Sequence, residues 1–592
     1  MNPRIVRFDQ ACREQFRQSV RDAAPDRRRM AEDAARLSAA WPAAIVDAGR
    51  HALLGPALRC KAAGYNADLY GWVIKASRAI EAADRLLDGA DELRFELSDL
   101  LLGEYFLLHR AAHRGMKVET TTPRDVLEGR FLETVSPVSS RPGFEPVECD
   151  LTVALTPGET TPSETMPDRV DVAFVATMAT YVPPMLPVIE SLRRRGRSSV
   201  LLAPACARDW PGLRSRDLPC PLVPIEALMD DSLRAMHELE GRRIGQACDA
   251  REDPLASMLD YRGVPLWPLV RTDVRHLARR YVPHVLTLDA ATERFVRRTG
   301  VRVVACARLR RATDVTIAMA ARRAGASVAM LMHGHVGGEP ERLFVDGDFG
   351  VPDRVFAWGD EQREIIIGKG AAAERVVVTG NPSWDDASPG DERAAADLRR
   401  RLGRPDHERL VALIGQPDAR PQLEAIIAAA ARVPGVCLLC RPHPSEGVEP
   451  YERAASKVGE GRCLVIGESQ VAMADLLRGC DAALTLHSTV NLEAIAHGCP
   501  VITVAMGELA KEPRLVDLAA HGLPLVTDGE TLTASLQTIA ADHRAWRATT
   551  RNAVAACRRA WGMDADATSA ERVADAMEGL AAGDACRGRK AA

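Results

Sequence analysis

Hydrophobic and polar positions follow a helical spacing in the first part of the chain and change character near residue 136. Segment 14–37 is charged and rich in Ala and Arg, and segments 43–54, 67–87 and 90–113 carry apolar residues at helical spacing. This pattern predicts an all-helical N-terminal region over residues 1–135. Residues 136–169 then hold six prolines among Ser, Thr and Glu, which predicts a linker and not a packed element.

From residue 170 onward, short apolar runs alternate with helical segments. Strands are predicted at residues 170–176, 198–203, 301–305, 327–332, 354–358 and 375–379, and in a second series at 410–414, 436–440, 463–466, 482–486 and 501–504. Strands that alternate with helices are typical of βαβ units and parallel sheets. The two series meet near residues 380–405, so the pattern predicts two doubly wound domains.

The predicted fold class is therefore α/β, with two Rossmann-like domains that face a cleft and an all-helical region before them. The domain boundaries are placed at 1–135, 136–169 (the linker), 170–390, 391–545 and 546–592. The last range is expected to hold C-terminal helices that brace back against the first Rossmann-like domain. Ligands of such folds bind at the carboxyl ends of the strands, so the residues that follow each strand are the candidates for function.

Two histidines among glycines follow the strand predicted at residues 327–332. The segment reads His333-Gly334-His335. Glycine lets another molecule approach the backbone closely, and histidine titrates near neutrality, so it can take a proton from an attacking hydroxyl. We expect His333 to be a catalytic base, with His335 as the second candidate.

The strand predicted at residues 436–440 leads into Arg441-Pro442-His443-Pro444. The two prolines fix the local φ angles and limit the geometries that His443 can take. Arg441 is suited to phosphate, and a protonated His443 can stabilise a phosphate leaving group or deliver a proton to it. We predict that Arg441, His443 and Pro444 bind the donor and that His443 is also catalytic.

Small hydroxyl residues stand between the strand predicted at residues 482–486 and the helix that follows it. Ser488 and Thr489 lie at this junction, where backbone N–H groups and the helix dipole favour an anion. Both are predicted to contact phosphate, and Glu493, about one turn later, is predicted to reach a ribose hydroxyl. A helix N-cap role for Ser488 is compatible with that prediction.

The first strand of the second series ends in Gly415-Gln416. Gly415 permits close approach of a ligand to the backbone, and Gln416 can hydrogen-bond a nucleotide. A plain turn is the alternative interpretation of this pair. Both residues are included in the predicted donor site.

The sequence predicts neither a metal site nor a cofactor. Asp346 and Asp348 resemble a D-x-D pair that binds a metal–nucleotide complex in another transferase architecture, but their Gly-rich surroundings favour a turn. Cys437 and Cys440 match C-x-x-C, yet strand alternation points the two thiols to opposite faces. The 14 cysteines are scattered through apolar segments, which suits reduced, buried thiols.

Composition and charge narrow the choice of partners. The chain has 592 residues with 77 basic and 81 acidic side chains, a formal net charge of −4, so no nucleic-acid partner is expected. No apolar run is long enough to cross a bilayer, and the first ten residues lack the apolar core of a secretory signal. The expected location is the cytoplasm, with the inner face of the membrane as the alternative.

In combination, these segments resemble a GT-B glycosyltransferase of the bacterial surface-polysaccharide kind. The matching segments, in chain order, are 332–334, 352–359, 378–382, 441–444, 488–494 and 498–502, and the resemblance covers about residues 170–580. It implies an acceptor-side domain at 170–390 and a nucleotide-sugar domain at 391–545. The implied reaction is an inverting, metal-independent transfer of a sugar from a nucleotide donor to an acceptor hydroxyl, in capsule or other surface-glycan biosynthesis or in surface-protein glycosylation.

A His-Pro pair followed by a Ser-Thr pair resembles the bacterial transferases that use CMP-activated acidic sugars, of the sialic acid and Kdo type. In that family the histidine and the hydroxyl pair serve the donor phosphate, which implies this role for His443, Ser488 and Thr489. The acidic base motif of the family, two carboxylates before a glycine, has no counterpart at residues 175–181. In the resulting hypothesis, His333 removes the acceptor proton across the cleft.

Three alternatives remain open from the sequence. The His-Gly pair after a strand also resembles CDP-glycerol polyol-phosphate transferases, in which such a histidine is the base. The segment Gly380-Asn381-Pro382 resembles the non-hydrolysing UDP-sugar 2-epimerases. A non-catalytic scaffold with a vestigial nucleotide site is the third, and residues 1–135 would then be its working surface. In the transferase hypothesis the same region stabilises the fold, or docks a protein partner, a glycan or protein acceptor, or a membrane surface.

Overall fold

The computed structural model describes most of the two predicted α/β domains and part of the N-terminal region. The described residues are 4–23, 29, 33, 73, 76–97, 102–120, 166–205, 210–249, 257–269, 282–309, 312–335, 350–416, 420–443, 446–459, 461–486, 489–507, 518–564 and 567–587. The helix predicted at 43–54 and the linker predicted at 136–169, apart from its last four residues, lie outside them.

The N-terminal region contains strands as well as helices. Its described elements are β1 (Ile5–Phe8), α1 (Gln10–Asp22), a helix over residues 76–86, β2 (Glu92–Phe95), α2 (Leu102–His113) and β3 (Lys117–Thr120). The strands form a parallel sheet in the order β1-β2-β3. The all-helical prediction is therefore wrong, and the segment predicted as a helix at 90–113 contains β2. A strand of four residues is too short to show its period, and its pairing partners lie far away in the sequence.

The first Rossmann-like domain begins with β4, and its elements follow in chain order. They are β4 (Val172–Val175), α3 (Leu186–Arg194), β5 (Ser199–Ala203), α4 (Trp210–Arg214), β6 (Leu222–Pro224), α5 (Asp231–Asp249), β7 (Asp260–Tyr261), β8 (Val264–Pro265), α6 (Val282–Thr299), β9 (Val303–Cys306), α7 (Ala312–Arg323), β10 (Ser327–Leu331), β11 (Arg354–Ala357), α8 (Asp360–Gly368) and β12 (Val376–Val378). Seven of the described strands form a parallel sheet in the order β12-β11-β10-β9-β4-β5-β6.

The second Rossmann-like domain repeats the alternation around its own parallel sheet. Its elements are α9 (Glu392–Arg401), β13 (Arg409–Ile414), α10 (Arg420–Ala431), β14 (Val436–Arg441), α11 (Glu449–Ala455), β15 (Cys463–Val465), α12 (Met473–Gly479), β16 (Ala482–Thr485), α13 (Val490–Ala496), β17 (Val501–Val504), β18 (Leu525–Val526) and α14 (Gly529–Ala541), followed by α15 (His543–Ala560) and α16 (Ser569–Arg587). The described sheet order is β15-β14-β13-β16-β17-β18. The predicted pair of Rossmann-like domains is confirmed.

The N-terminal region is anchored on the β7–β8 hairpin of the first Rossmann-like domain. Tyr105 donates its hydroxyl proton to the carbonyl of Pro265 at 2.9 Å, and the hydroxyls of Ser77 and Tyr261 lie 2.7 Å apart. The hairpin turns through Arg262 and Gly263 with φ angles of +55° and +83°, the left-handed pair that a two-residue hairpin loop requires. The N-terminal region therefore extends the first domain on the hairpin side.

The end of the chain crosses from the second domain to the first. Helix α16 lies against α3, where Arg197 pairs with Glu578 at 2.6 Å and Arg195 pairs with Asp575 and Glu578. The turn before α16 docks so closely that an ideal Cβ at Gly359 would lie 2.4 Å from the carbonyl oxygen of Ala560. This crossing ties the two domains together beside their chain link, where Asp385 accepts hydrogen bonds from the backbone N–H groups at the start of α16. Within the described residues, no helix has the length and apolar character needed to span a membrane.

The two thiols of the C-x-x-C segment lie on opposite faces of the second sheet. Cys437 and Cys440 are both fully buried, but they belong to different hydrophobic clusters. The Cys440 sulfur lies 3.4 Å from that of Cys463 on the neighbouring strand. Both members of this closer pair are free thiols.

A buried carboxylate joins α9 to the second sheet. Asp481 accepts hydrogen bonds from the Arg399 guanidinium at 2.9 Å, from the Leu410 backbone N–H at 2.8 Å and from His543 at 2.8 Å. Burial acts to raise the pKa of Asp481, but the hydrogen bond from His543 and the charge of Arg399 outweigh it and hold the pKa below its usual value. Asp481 is therefore ionised in the folded chain at neutral pH.

We expect Asp481→Asn to lower the free energy of unfolding by about 3–5 kcal/mol, because it leaves the buried Arg399 without its counter-charge. The matched control is Asp475→Asn, which breaks the nearly half-exposed bridge between Asp475 of α12 and Arg401 of α9. Loss of this bridge costs at most about 1 kcal/mol. Urea denaturation of the three proteins measures both effects. Equal losses for the two variants would contradict the structural role given to Asp481.

Candidate functional site

The carboxyl ends of three neighbouring strands meet at one edge of the second sheet. The strand order is β14-β13-β16. Gln416, which follows the central strand β13, therefore lies between the segment with His443 and the segment that leads to Thr489. The pairing of β13 and β14 extends to the strand ends, since the Gly415 N–H donates to the Arg441 carbonyl at 2.8 Å. Gln416, His443 and Thr489 are all partly accessible. Pro444 and Ser488 lie outside the described residues.

Gly415 is required by a neighbouring tyrosine. An ideal Cβ at this position would lie 2.0 Å from the hydroxyl oxygen of Tyr451. That hydroxyl donates to the Glu446 carboxylate at 2.8 Å, which fixes the segment that follows His443. The close approach expected at Gly415 is thus made by a side chain of the protein itself, and a contact between Gly415 and a nucleotide remains a prediction.

The Arg441 side chain is turned into the protein. Its side chain is nearly buried, and its guanidinium donates to Glu468 at 2.7 Å and to the backbone carbonyls of Ile466 and Val471. These bonds hold the loop after β15 against the end of β14. Two nitrogens of Arg441 thus serve this loop, and its contact with a donor phosphate remains a prediction.

Two carboxylates lie close together beside this loop. Burial raises the pKa of Glu493, and the nearby negative charge of Glu468 raises it further. Glu468 itself is mostly exposed and paired with Arg441. Glu493 thus lies near the loop after β15, and its contact with a ribose hydroxyl remains a prediction.

His333 lies at the carboxyl end of β10 in the first domain. Its imidazole packs on the ring of Tyr181, with 4.3 Å between the ring centroids and 55° between the planes. Tyr181 is nearly buried and follows β4, the strand on the far side of β9 from β10. The imidazole of His333 is therefore in contact with an aromatic ring on one side, and the side chain is half-buried.

The two domains meet at the residues that follow β10 and β16. The backbone N–H of His335 donates to the Thr489 hydroxyl oxygen at 3.3 Å. Thr489 stands at the N-cap position of α13, but its side chain makes no capping hydrogen bond. Its hydroxyl oxygen is instead turned toward the first domain, and its proton can be donated to a ligand oxygen.

His335 is neutral in the folded chain at neutral pH. Its ring packs edge-on against Trp561, with 5.5 Å between the centroids. Burial, and after it the positive charge of Lys369, lowers the pKa of His335 to about 4. The Trp561 side chain is fully buried and comes from the turn between α15 and α16. The C-terminal crossing therefore reaches the edge of the cleft.

A buried glutamine fixes the backbone that carries the two histidines. Gln362, which is fully buried, donates to the Gly334 carbonyl at 3.3 Å and accepts from the Trp358 N–H at 2.8 Å. The Trp358 indole donates to the Met332 carbonyl at 3.1 Å. Each carbonyl on either side of His333 is thus held by a side chain of the β11–α8 segment. The histidine loop is preorganised by a layer of residues beneath it.

Sequence reasoning missed several residues that shape this cleft. Tyr181, Gln362, Glu468 and Arg308 all lie at or behind strand ends, yet none belongs to a motif with a spacing of its own. For Arg308 there was a positional signal, because it comes three residues after a predicted strand. For the others the contacts are made only by the folded chain. The D-x-D pair at Asp346 and Asp348 lies outside the described residues.

No known protein-family model matches the chain. A stretch of 183 residues is 32% identical to the D-inositol 3-phosphate glycosyltransferases of Mycobacterium tuberculosis and Mycobacterium bovis, and the match covers 29% of this chain and 35% of each relative. The chain thus spans about a third of the length of the curated relatives it matches.

Two solved structures illustrate the structural likeness. Anabaena HepE in complex with UDP and glucose aligns with a TM-score of 0.46 at 16% identity, over 69% of this chain and 100% of that one. A putative UDP-N-acetylglucosamine 2-epimerase from Listeria monocytogenes aligns with a TM-score of 0.44 at 14% identity, over 68% and 95%. Scores this low do not establish a common fold, so the architecture rests on the strand order and register described above.

The lowered pKa of His335 predicts a loss of stability in mild acid. Between the ordinary histidine pKa of about 6.5 and about 4, the unfolded chain binds a proton at residue 335 that the folded chain does not. Stability therefore falls as the pH falls through this window, by about 3 kcal/mol in total from this residue. His335→Gln should remove that part of the dependence, as measured by denaturation at pH 7 and pH 4.5.

The matched control for this measurement is His407→Gln, which changes an exposed histidine in a turn before β13. It should reproduce the wild-type pH dependence. A His335→Gln protein that loses as much stability in acid as the wild type would show that residue 335 is accessible to protons in the folded state.

Proposed function

We propose that this chain is an inverting, metal-independent glycosyltransferase that moves a sugar from a nucleotide donor to an acceptor hydroxyl. The observation that carries the proposal is the hydrogen bond between the His335 backbone and the Thr489 hydroxyl. It sets the residues after β10 and those after β16 against each other, so a ligand in the cleft is bordered by both sheets. The 32% identity to proteins named glycosyltransferases, over part of the chain, supports the same class.

In this proposal His333 is the base. A general base works best when its pKa is near the operating pH, and the His335 pKa of about 4 makes that residue a poor proton acceptor at neutrality. His333 lies two residues closer to β10, half-buried against Tyr181. Of the two histidines in the loop, His333 is therefore the one suited to take a proton from the acceptor.

The reaction is a single displacement. The acceptor oxygen attacks the anomeric carbon as its proton passes to His333, and the bond from that carbon to the donor phosphate oxygen breaks with its electron pair on the nucleotide. His443 and Thr489 supply hydrogen bonds to the leaving phosphate from the second domain, and donor contacts of Ser488 and Pro444 are part of the same hypothesis. Because the nucleophile and the leaving group lie on opposite faces of the sugar, the configuration inverts.

The donor, the acceptor and the place of the reaction are proposed from the sequence motifs. The His-Pro and Ser-Thr pairs favour a CMP-activated sugar as the donor, with Gln416 and Glu493 near the nucleoside. The acceptor is a glycan or protein of the cell surface, bound by the first domain, and the reaction takes place in the cytoplasm or at the inner face of the membrane. The N-terminal unit on the β7–β8 hairpin would dock the acceptor or a protein partner.

A nucleotide panel tests the donor. CMP, CDP, UMP, UDP and GDP are each added at increasing concentration, and thermal unfolding is followed. A ligand at 100 times its Kd stabilises the fold by about 2.7 kcal/mol, and we expect CMP to give the largest shift. His443→Ala should weaken the binding of that nucleotide about ten- to hundred-fold, because a hydrogen bond to a charged group contributes about 1.5–3 kcal/mol. A panel without any shift would contradict a nucleotide site.

The catalytic role of His333 has a separate test. We expect His333→Ala to lower sugar transfer from the identified donor about 10²- to 10⁴-fold and to leave the nucleotide-induced shift unchanged. His407→Ala, at an exposed position of the second domain, is the control and should transfer at the wild-type rate. Unchanged transfer by His333→Ala would refute its role as base.

Three further measurements separate the alternative functions. Epimer formation from a UDP-sugar without an acceptor would identify a 2-epimerase, and CMP release from CDP-glycerol would identify a polyol-phosphate transferase. A cellular phenotype that survives His443→Ala would point to a scaffold. Each of these results would overturn the transferase proposal.

A further inference from the structure

An arginine of the first domain borders the cleft but has no part in the mechanism above. Arg308 lies two residues beyond the end of β9, whose last residue, Cys306, pairs with Met330 of β10. The segments that follow the two strands therefore run side by side. Arg308 is half-buried, and this register sets it next to the segment that holds His333 and Gly334.

The guanidinium of Arg308 lies close to Gly334. An ideal Cβ at Gly334 would lie 3.7 Å from Arg308 Nη2 and 3.8 Å from Thr489 Oγ1. One cationic donor from the first sheet and one hydroxyl from the second sheet thus border the same backbone position. A larger residue than glycine at 334 would occupy the space between these two groups. A phosphate group, which accepts hydrogen bonds on several oxygens, fits a pair of donors placed in this way.

The electrostatics of the cleft point to the same ligand. A second cation, Lys369, lies near enough to His335 to lower its pKa, so the first-domain side carries two positive charges around the histidine loop. Across the cleft, Arg441 is already bound to Glu468. Arg308 therefore lies where a phosphate at the contact between the domains would meet positive charge from the first domain.

We propose that Arg308 binds the donor phosphate from the first domain and stabilises the negative charge that develops on the leaving phosphate oxygen. This inference rests on the proposed function and deepens it. His443 and Thr489 hold the nucleotide from the second domain, and Arg308 completes the phosphate site only where the two domains are in contact. A guanidinium is suited to this task because its planar fork can donate two hydrogen bonds to one phosphate.

Loss of Arg308 should affect the nucleotide affinity and kcat to different extents. The phosphate already carries negative charge in the ground state, so loss of Arg308 weakens nucleotide binding. The charge on the leaving oxygen grows in the transition state, so kcat should fall by a larger factor than the affinity for the nucleotide. A nucleoside has no phosphate, and its affinity does not depend on Arg308.

The experiment compares the wild type with Arg308→Ala, Arg308→Lys and Arg302→Ala. Arg302 lies at the opposite end of the same strand, exposed at the amino edge of the sheet, and serves as the matched control. Calorimetry measures the affinities for CMP, UDP, cytidine and uridine, and steady-state kinetics measure kcat and the donor KM with the donor that the nucleotide panel identifies. Thermal unfolding of each variant confirms that it is folded.

We expect Arg308→Ala to lower the affinity for the nucleotide at least ten-fold and to lower kcat about 10²-fold. The affinity for the nucleoside should stay unchanged. Arg308→Lys should recover part of both losses, and Arg302→Ala should match the wild type. Wild-type affinity and kcat in Arg308→Ala, or an equal loss for nucleoside and nucleotide, would overturn the inference. A wild type that binds nucleotide but transfers no sugar would refute the proposed function alone, since the binding comparison still decides whether Arg308 contacts phosphate.

Discussion

The hydrogen bond from the His335 N–H to the Thr489 hydroxyl is the point on which the arrangement of the cleft depends. A single neutral hydrogen bond contributes only about 1 kcal/mol, so it does not hold the domains together. The bond instead aligns the two sides of the cleft, because it joins the segment after β10 to the segment after β16. The stabilising contacts are made elsewhere, where α16 lies on α3 and Arg197 pairs with Glu578. Attachment of the domains and alignment of the cleft are thus carried by different residues.

The groups that would do chemistry are held by residues that would not touch a substrate. Gln362 and Trp358 bind the carbonyls on both sides of His333, and the ring of Tyr181 covers one face of its imidazole. In the second domain, Arg441 and Tyr451 hold the loops around His443 in the same way. Buried hydrogen bonds of this kind limit the movement of a loop, which keeps the reacting groups in position.

The two strand-end arginines show why a sequence pattern names candidates but does not choose between them. Arg441 and Arg308 both follow an apolar strand, and each position is compatible with a phosphate contact. The guanidinium of Arg441 turns inward because Glu468 and two carbonyls of the next loop are there to accept its hydrogen bonds. Arg308 lies near Gly334 and Thr489 because the segments that follow β10 and β16 meet there. Neither neighbourhood can be deduced from the local sequence.

The sequence alone was enough to determine the two Rossmann-like domains and the strand ends that carry His333, His443 and Thr489. Buried parallel strands are continuous apolar runs and the helices between them are amphipathic. The alternation of strands and helices can therefore be recognised from the local sequence. It was not enough for the N-terminal region, where β1, β2 and β3 pair across long separations with only four residues each. Tertiary structure also decided which strand-end side chains face the cleft, since orientation depends on partners brought from other elements.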